Sequence, residues 1–339
     1  MILSFVDSNV FGVFLTNVLI TGIAGFVGSH LSEFIIENKL GKVYGTIRNK
    51  DENLENLEGF NDDITLIPCD IADYHAVVRA VKESQPDYIF HLAAQSYVPA
   101  SWRGPIETMN TNVMGSLNVF EAVRNADVDP VIQIAGSSEE YGLVLEDELP
   151  NTEKHELRPL SPYGVSKAAM DLLGYQYYKS YGMKVIRTRA FNHTGPRRGK
   201  VFVCSDWSKQ IAEIELGKKK PIISVGNLEA KRDFSDVRDI VRAYWLAVKK
   251  CPPGEVYNIC SEDTILIGDI LKKLLSLSDQ KVEISPDPSR LRPSDVPVLY
   301  GECQKFKKQT GWKPEISFDK TLADLLEFWR MKLKHNSRQ

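Results

Sequence analysis

The sequence predicts an α/β protein: a doubly wound parallel sheet with a smaller α/β lobe after it. Three observations lead there. Short apolar runs rich in β-branched and aromatic residues recur through the first two-thirds of the chain, as strands covered on both faces do. Helix-like segments separate them, an alternation that favours parallel pairing and right-handed crossovers. A glycine-rich turn follows the first run, where such a sheet holds a phosphate group.

Strands are expected at 17–22 (NVLITG), 42–48, 64–71, 87–94, 131–138 and 184–191. Helices are expected at 29–39, 74–84, 114–126 and 166–182, the last closed by Gly182. Beyond about residue 192 the loops lengthen and the runs PIISVG, EVYNIC and KVEIS stand isolated among helices. The expected organisation is an N-terminal extension (1–16), a dinucleotide-binding domain (17–191), a lobe interleaved with the sheet (192–330) and a tail (331–339). Residues 1–16 are apolar, but Asp7 and Asn9 interrupt them and no basic segment precedes, which disfavours a secretory leader.

Of the 339 residues 43% are hydrophobic and 26% charged, and 42 basic against 45 acidic side chains leave a net charge of -3. That balance argues against a nucleic-acid footprint or a polybasic membrane anchor. No apolar run reaches the roughly 18 residues of a membrane span. The five cysteines show no metal-ligand spacing, so no metal site is expected and a reducing, cytoplasmic setting is.

TGIAGFVGSHL joins the first strand to the first helix. Gly22 permits the tight turn, Gly25 lets backbone approach a pyrophosphate, and Gly28 lets the helix pack close to the strand, with Phe26 and Val27 between them. The helix N-terminus then presents N–H groups to the phosphates. This makes the sheet a Rossmann-type dinucleotide binder. At the end of the second strand an acid would bond a ribose 2′-hydroxyl, but GTIRNK places Arg48 there. A cation suits a 2′-phosphate, so NADP(H) is preferred, with NAD(H) the alternative because Asp51 is close. Asp70 and Ile71 follow the third strand, placed for the adenine, although a surface acid fits Asp70 equally well. Leu92, Ala93 and Ala94 end the fourth strand along the cofactor, and Ser96 follows as a candidate substrate contact.

SPYGVSK sets Tyr163 and Lys167 four residues apart, on one face of a helix. An ammonium beside a phenol is expected to lower the phenol's pKa, preparing it to exchange a proton with a substrate oxygen. Ser137 or Ser138, after the fifth strand, would bond the same oxygen. An isolated Tyr-x-x-x-Lys is more often a surface pair. Here the glycine turn upstream and serines at a strand end favour catalysis.

T-G-x-x-G-x-x-G, the Ser…Tyr-x-x-x-Lys set and HLAA together resemble the extended short-chain dehydrogenase/reductase superfamily, from about residue 17 to about 328. FNHTGPRRG (191–199), VGNLEAKRDFSDVRD (225–239) and LRPSDVP (291–297) resemble its GDP-mannose branch. The resemblance implies a GDP-sugar substrate held by Asn192, Arg198, Arg232, Arg292 and Asp295. Arginine's forked donors suit phosphates, against the alternative of structural ion pairs. It also implies a homodimer, or a tetramer, built through the 114–126 helix and the helix carrying Tyr163. Within the branch, Glu139 falls on the dehydratases' catalytic glutamate, yet the reductases carry a glutamate there too. GSSEEYG and the glycine turn resemble the reductases more closely. The expectation is NADPH-dependent reduction of the C4 keto group of GDP-4-dehydro-6-deoxy-D-mannose to give GDP-D-rhamnose, with the dehydratase, a bifunctional enzyme and a non-catalytic dinucleotide sensor as alternatives. Glu140 receives no role.

Overall fold

The computed structural model describes residues 16–49, 51–291 and 296–335. The first half runs β1 (Asn17–Thr21), α1 (Phe26–Glu37), β2 (Lys42–Ile47), β3 (Ile64–Pro68), α2 (Tyr74–Ser84), β4 (Tyr88–His91), α3 (Val98–Arg103), α4 (Pro105–Met109), α5 (Gly115–Asn125), β5 (Val131–Ser137), α6 (Pro162–Tyr181) and β6 (Val185–Ala190). The second half runs β7 (Asn192–Thr194), α7 (Val203–Glu215), β8 (Ile222–Val225), β9 (Lys231–Arg232), β10 (Phe234–Asp236), α8 (Val237–Lys250), β11 (Val256–Ile259), β12 (Ile265–Leu266), α9 (Ile267–Ser276), β13 (Glu283–Pro286), β14 (Val298–Leu299), α10 (Gln304–Thr310) and α11 (Phe318–His335).

Seven parallel strands form the main sheet in the order β11-β6-β5-β4-β1-β2-β3. Apolar side chains leave both faces. Those on one side pack with α1 and α8, and those on the other with α2, α5 and α6. EVYNIC, expected to stand alone, is the sheet's seventh strand. Its backbone completes the outer edge of β6, where Arg187 N–H donates to Glu255 and Phe191 N–H to Ile259. PIISVG and KVEIS pair with each other as β8 and β13, over a separate core built from α7, α9 and α11.

Two helix starts matter for the site. Asp73 caps α2 by accepting from the N–H groups of His75 and Ala76. Helix α6 begins four residues earlier than expected. Ser161 caps it by accepting from Gly164 N–H, Pro162 occupies its first position, and Gly182 closes it at φ 68°. Tyr163 therefore lies in the first turn, at the end nearest the sheet's C-terminal edge. The expected 114–126 helix is preceded by one π-helical turn, Asn110–Met114, which buries Asn112.

Candidate active site

The chain order reverses between β1 and β4, and ligands of such sheets bind outside the strand ends at that crevice. A cavity of about 810 Å³ opens there, in the range of pockets that hold a small molecule or cofactor. Thr21 ties its walls together. Its hydroxyl accepts from the N–H groups of Leu92 and Ala93 and contacts His91 Nδ1 at 2.8 Å. His91 Nε2 meets Ser116 Oγ, which bonds the Asn112 carbonyl. With two N–H groups already on the Thr21 oxygen, its O–H is left to donate to Nδ1, and Nε2–H donates to Ser116. This imidazole is neutral, and burial, then the Lys167 charge, pushes its pKa down to about 3.

The glycine turn has the shape of a phosphate cradle. Gly22 sits at φ +71°, and a Cβ there would meet the Ala93 backbone at 2.9 Å. A Cβ on Gly28 would meet Gly22 O at 2.5 Å. Gly25 precedes α1 and offers no side-chain cap, and the first turn holds no acid, so the helix's leading N–H groups face the cavity without a competing carboxylate. These residues fit a dinucleotide: the cradle for the pyrophosphate, the ends of β2 and β3 for the adenosine half. Gly22, Gly25, Phe26, Val27 and Gly28 line the cavity at the cradle. Arg48, Asp70 and Ile71 line it at one end, and Leu92, Ala93 and Ala94 along one wall. Sequence reasoning did not single out Glu52, also on this wall, whose carboxylate accepts from Arg48 N–H. An acid lies beside the cation.

At the other end stand Tyr163 and Lys167 with Ala135 and Gly136 of β5. Ser137 follows them, off the cavity wall; its side chain lies close to the Tyr163 hydroxyl and accepts from Glu139 N–H at 3.2 Å. Lys167 Nζ donates to the Ala135 carbonyl at 2.8 Å and lies 5.8 Å from the centre of the Tyr163 ring. The expected lowering of the phenol pKa is not what this arrangement produces. Burial dominates and raises the Tyr163 pKa, against the nearby Ser137 side chain and the Arg198 charge, while the Glu139 charge raises it further. The phenol is protonated at neutral pH. Burial also pulls Lys167 down to about 8, with the Glu140 charge holding it up.

The other predicted contacts divide. Ser96 and Arg198 line the cavity. The Arg198 guanidinium stacks between rings, 3.5 Å from the centre of Phe202 and 4.8 Å from that of Phe26. Ser138 is 2% exposed in the 3-10 turn Ser138–Glu140 and is not on the cavity wall. Asn192 lies in β7 and gives way to His193, which reaches the wall. The Nδ1–H of His193 donates to Phe191 O. Arg232 is buried, with Nη1 donating to the Lys231 and Pro297 carbonyls, away from this wall. Glu139 is half-buried, and its carbonyl packs where a Cβ on Gly164 would be, at 2.5 Å. Arg292 and Asp295 lie outside the described residues. Tyr244 of α8 also lines the cavity; its helical stripe reads as core in sequence. Asn112 donates to Gln95 O and to Ser166 Oγ, one turn beneath Tyr163. Among the described residues there is no cluster able to hold a metal ion and no helix long and apolar enough to cross a membrane, and all five cysteines are buried thiols.

A family profile described as GDP-mannose 4,6 dehydratase matches residues 19–325. GDP-6-deoxy-D-mannose reductase of Pseudomonas aeruginosa is 30% identical over 315 residues, 93% of this chain and 97% of that protein. GDP-mannose 4,6 dehydratase of Homo sapiens is 30% identical over 337 residues, 91% of this chain and 90% of that protein. Among solved structures, that of RMD from Pseudomonas aeruginosa complexed with NADPH superposes with a TM-score of 0.80 at 29% identity, covering 94% of this chain and all of that one (100%). UDP-glucose 4-epimerase of Thermotoga maritima gives 0.83 at 29% identity, covering 94% and 100%. A cradle at the switch point, with tyrosine and lysine at its far end, thus defines an NAD(P)-dependent enzyme of the extended short-chain dehydrogenase/reductase class. More narrowly, the chain belongs to the GDP-mannose 4,6-dehydratase family.

Proposed function

We propose that the enzyme reduces the C4 keto group of GDP-4-dehydro-6-deoxy-D-mannose with NADPH, giving a GDP-6-deoxyhexose such as GDP-D-rhamnose. One observation carries this direction: Tyr163 is a buried, protonated phenol at the inner end of the cavity, with the Ser137 side chain beside it. Reduction of a ketone consumes a proton at oxygen, and such a phenol is a donor. The 30% identical reductase of Pseudomonas aeruginosa supports the same direction.

When bound, the reduced nicotinamide supplies a hydride to the C4 carbonyl carbon. Ser137 holds the carbonyl oxygen by hydrogen bonding, and Tyr163 transfers its hydroxyl proton to that oxygen, so that C=O becomes CH–OH. The Lys167 ammonium stabilises the phenolate left behind, which then recovers a proton from solvent. Arg198, desolvated between two rings, offers its forked donors to the sugar diphosphate. Arg48 on the cavity wall favours a 2′-phosphate and so NADPH over NADH, opposed by Glu52 beside it. We also infer a homodimer through α5 and α6, since Val165, Leu172 and Tyr175 of α6 are exposed; light scattering of the purified protein tests it.

Dehydration of GDP-mannose is the second reading, favoured by Glu139, whose charge reaches Tyr163. Mass spectrometry separates the two. The protein is incubated with GDP-mannose, and with its 4-keto-6-deoxy derivative, each with and without NADPH. The expected outcome is NADPH oxidation with the keto sugar alone. Rapid formation of the keto sugar from GDP-mannose without added NADPH would replace this reading with the dehydratase.

A further inference from the structure

Glu140 is fully buried, immediately behind the strand end that carries Ser137. Its two carboxylate oxygens are used separately. Oε1 accepts from the Ser137 backbone N–H at 2.7 Å, and Oε2 accepts from Arg189 Nε at 3.1 Å. Space is reserved for it: a Cβ on Gly136 would come within 2.5 Å of Oε1. Arg189 of β6 also bonds Asp171 Oδ2 at 3.0 Å, and Arg187 bonds Asp171 Oδ1 at 2.6 Å. Asp171 lies one turn beyond Lys167 on α6, and the Lys167 ammonium is anchored on Ala135, two residues before Ser137. A carboxylate with no exposed surface is costly, and one whose two oxygens reach the strand end and the arginine is placed to fix both.

We propose that Glu140 is a positioning residue for catalysis, tying the Ser137 strand end to Arg189 and supplying the negative charge beneath the Lys167 ammonium. This rests on the assignment of Tyr163 and Lys167 as the proton-transfer pair. The charged groups facing Glu140 are Arg189 from β6 and Asp171 and Lys167 from α6. Arg187 and the Tyr141 hydroxyl complete the cluster through Asp171 and Arg189. Burial and Asp171 raise the Glu140 pKa, against Arg189 and Lys167. Both oxygens accept N–H donors, the arrangement an ionised carboxylate requires. A partner serving Arg189 alone would affect stability and leave the lysine's titration untouched.

The experiment uses E140Q and E140D with NADPH and the keto sugar. In E140Q the Lys167 proton is held less tightly, so the alkaline limb of kcat moves to lower pH by roughly one unit, the effect of one nearby charge. In E140D the charge stays but the carboxylate withdraws by a methylene. With the strand end no longer held, kcat falls on the order of tenfold or more, at wild-type affinity for NADPH by fluorescence titration. An unmoved alkaline limb in E140Q, or wild-type kcat in E140D, would overturn the proposal. Y163F run alongside keeps the two ideas apart: full activity there removes the catalytic assignment itself, whatever Glu140 does.

Discussion

Gly25→Ala and Gly28→Ala should separate the two duties of the glycine turn. A Cβ at position 28 would lie 2.5 Å from Gly22 O and 2.8 Å from the Ile23 Cα and carbonyl oxygen, where ordinary contact begins at 3.4 Å. The shortfall of 3.4 − 2.5 = 0.9 Å is against backbone, so helix and loop must part together. Overpacking of this kind costs about 1–3 kcal/mol of stability. It also moves the leading N–H groups of α1, and weakening one or two charge-assisted bonds of about 1.5–3 kcal/mol each raises the Kd for NADPH by about 10- to 100-fold or more. Position 25 differs. Its φ is -71°, open to any residue, and its Cβ would meet only Gly22 O, at 3.1 Å. The protein should tolerate that methyl within about 0.5 kcal/mol, yet the methyl stands where a pyrophosphate must touch backbone. Gly25→Ala is therefore expected to keep the wild-type Tm and lose NADPH affinity, while Gly28→Ala loses both. Fluorescence titration and thermal melts read the two quantities. Wild-type affinity in Gly25→Ala would mean that the turn does not hold the phosphates.

Tyr163→Phe should lower kcat by about 10²- to 10⁴-fold with NADPH affinity unchanged, checked by stopped-flow NADPH oxidation and fluorescence titration. Acid should destabilise the fold through His30 and His91, whose folded pKa values are lowered by burial to about 4 and about 3. A lowered folded value means stability present above the ordinary 6.5 and lost as pH falls through 4, at about 1.4 kcal/mol per unit for each group. Melts from pH 7 to 4 should show the fall, and His91→Asn should flatten it. Tyr141→Phe removes a hydroxyl that donates to Asn258 Oδ1 at 2.6 Å and accepts from Arg189 at 3.2 Å. Leaving the buried Asn258 Oδ1 unpaired should cost about 1–3 kcal/mol in chemical denaturation.

The parts of the site legible in sequence are those in which local geometry and chemistry coincide. The glycine turn reads clearly because backbone sterics demand glycine where phosphate, strand and helix converge. Tyr163 and Lys167 read clearly because one helical turn sets their spacing. Tyr244 and His193 did not, because nothing local distinguishes a cavity wall from a core stripe; only the packing of α8 and β7 against the crevice brings them in. Glu140 was unreadable for the opposite reason. Its partner Arg189 is 49 residues away, and an acid following an acid looks like solvated surface until β6 is laid beside β5. The direction of the tyrosine's pKa shift is hidden on the same ground, since spacing reports which charges are near and not how much water has been removed.

The seventh strand has a consequence for biogenesis. β6 leaves the ribosome well before β11, and about sixty-five residues of the second lobe must be made before Val256–Ile259 arrives to cover it. Until then the nascent cradle domain carries an open parallel edge, a template for pairing with a neighbouring chain. A fragment stopped after β7 would keep every glycine of the phosphate turn and the whole serine–tyrosine–lysine set, yet be prone to aggregate along that edge. The second lobe is thus a folding partner of the first as well as part of the cavity wall, and truncation is expected to leave a first half with an open edge.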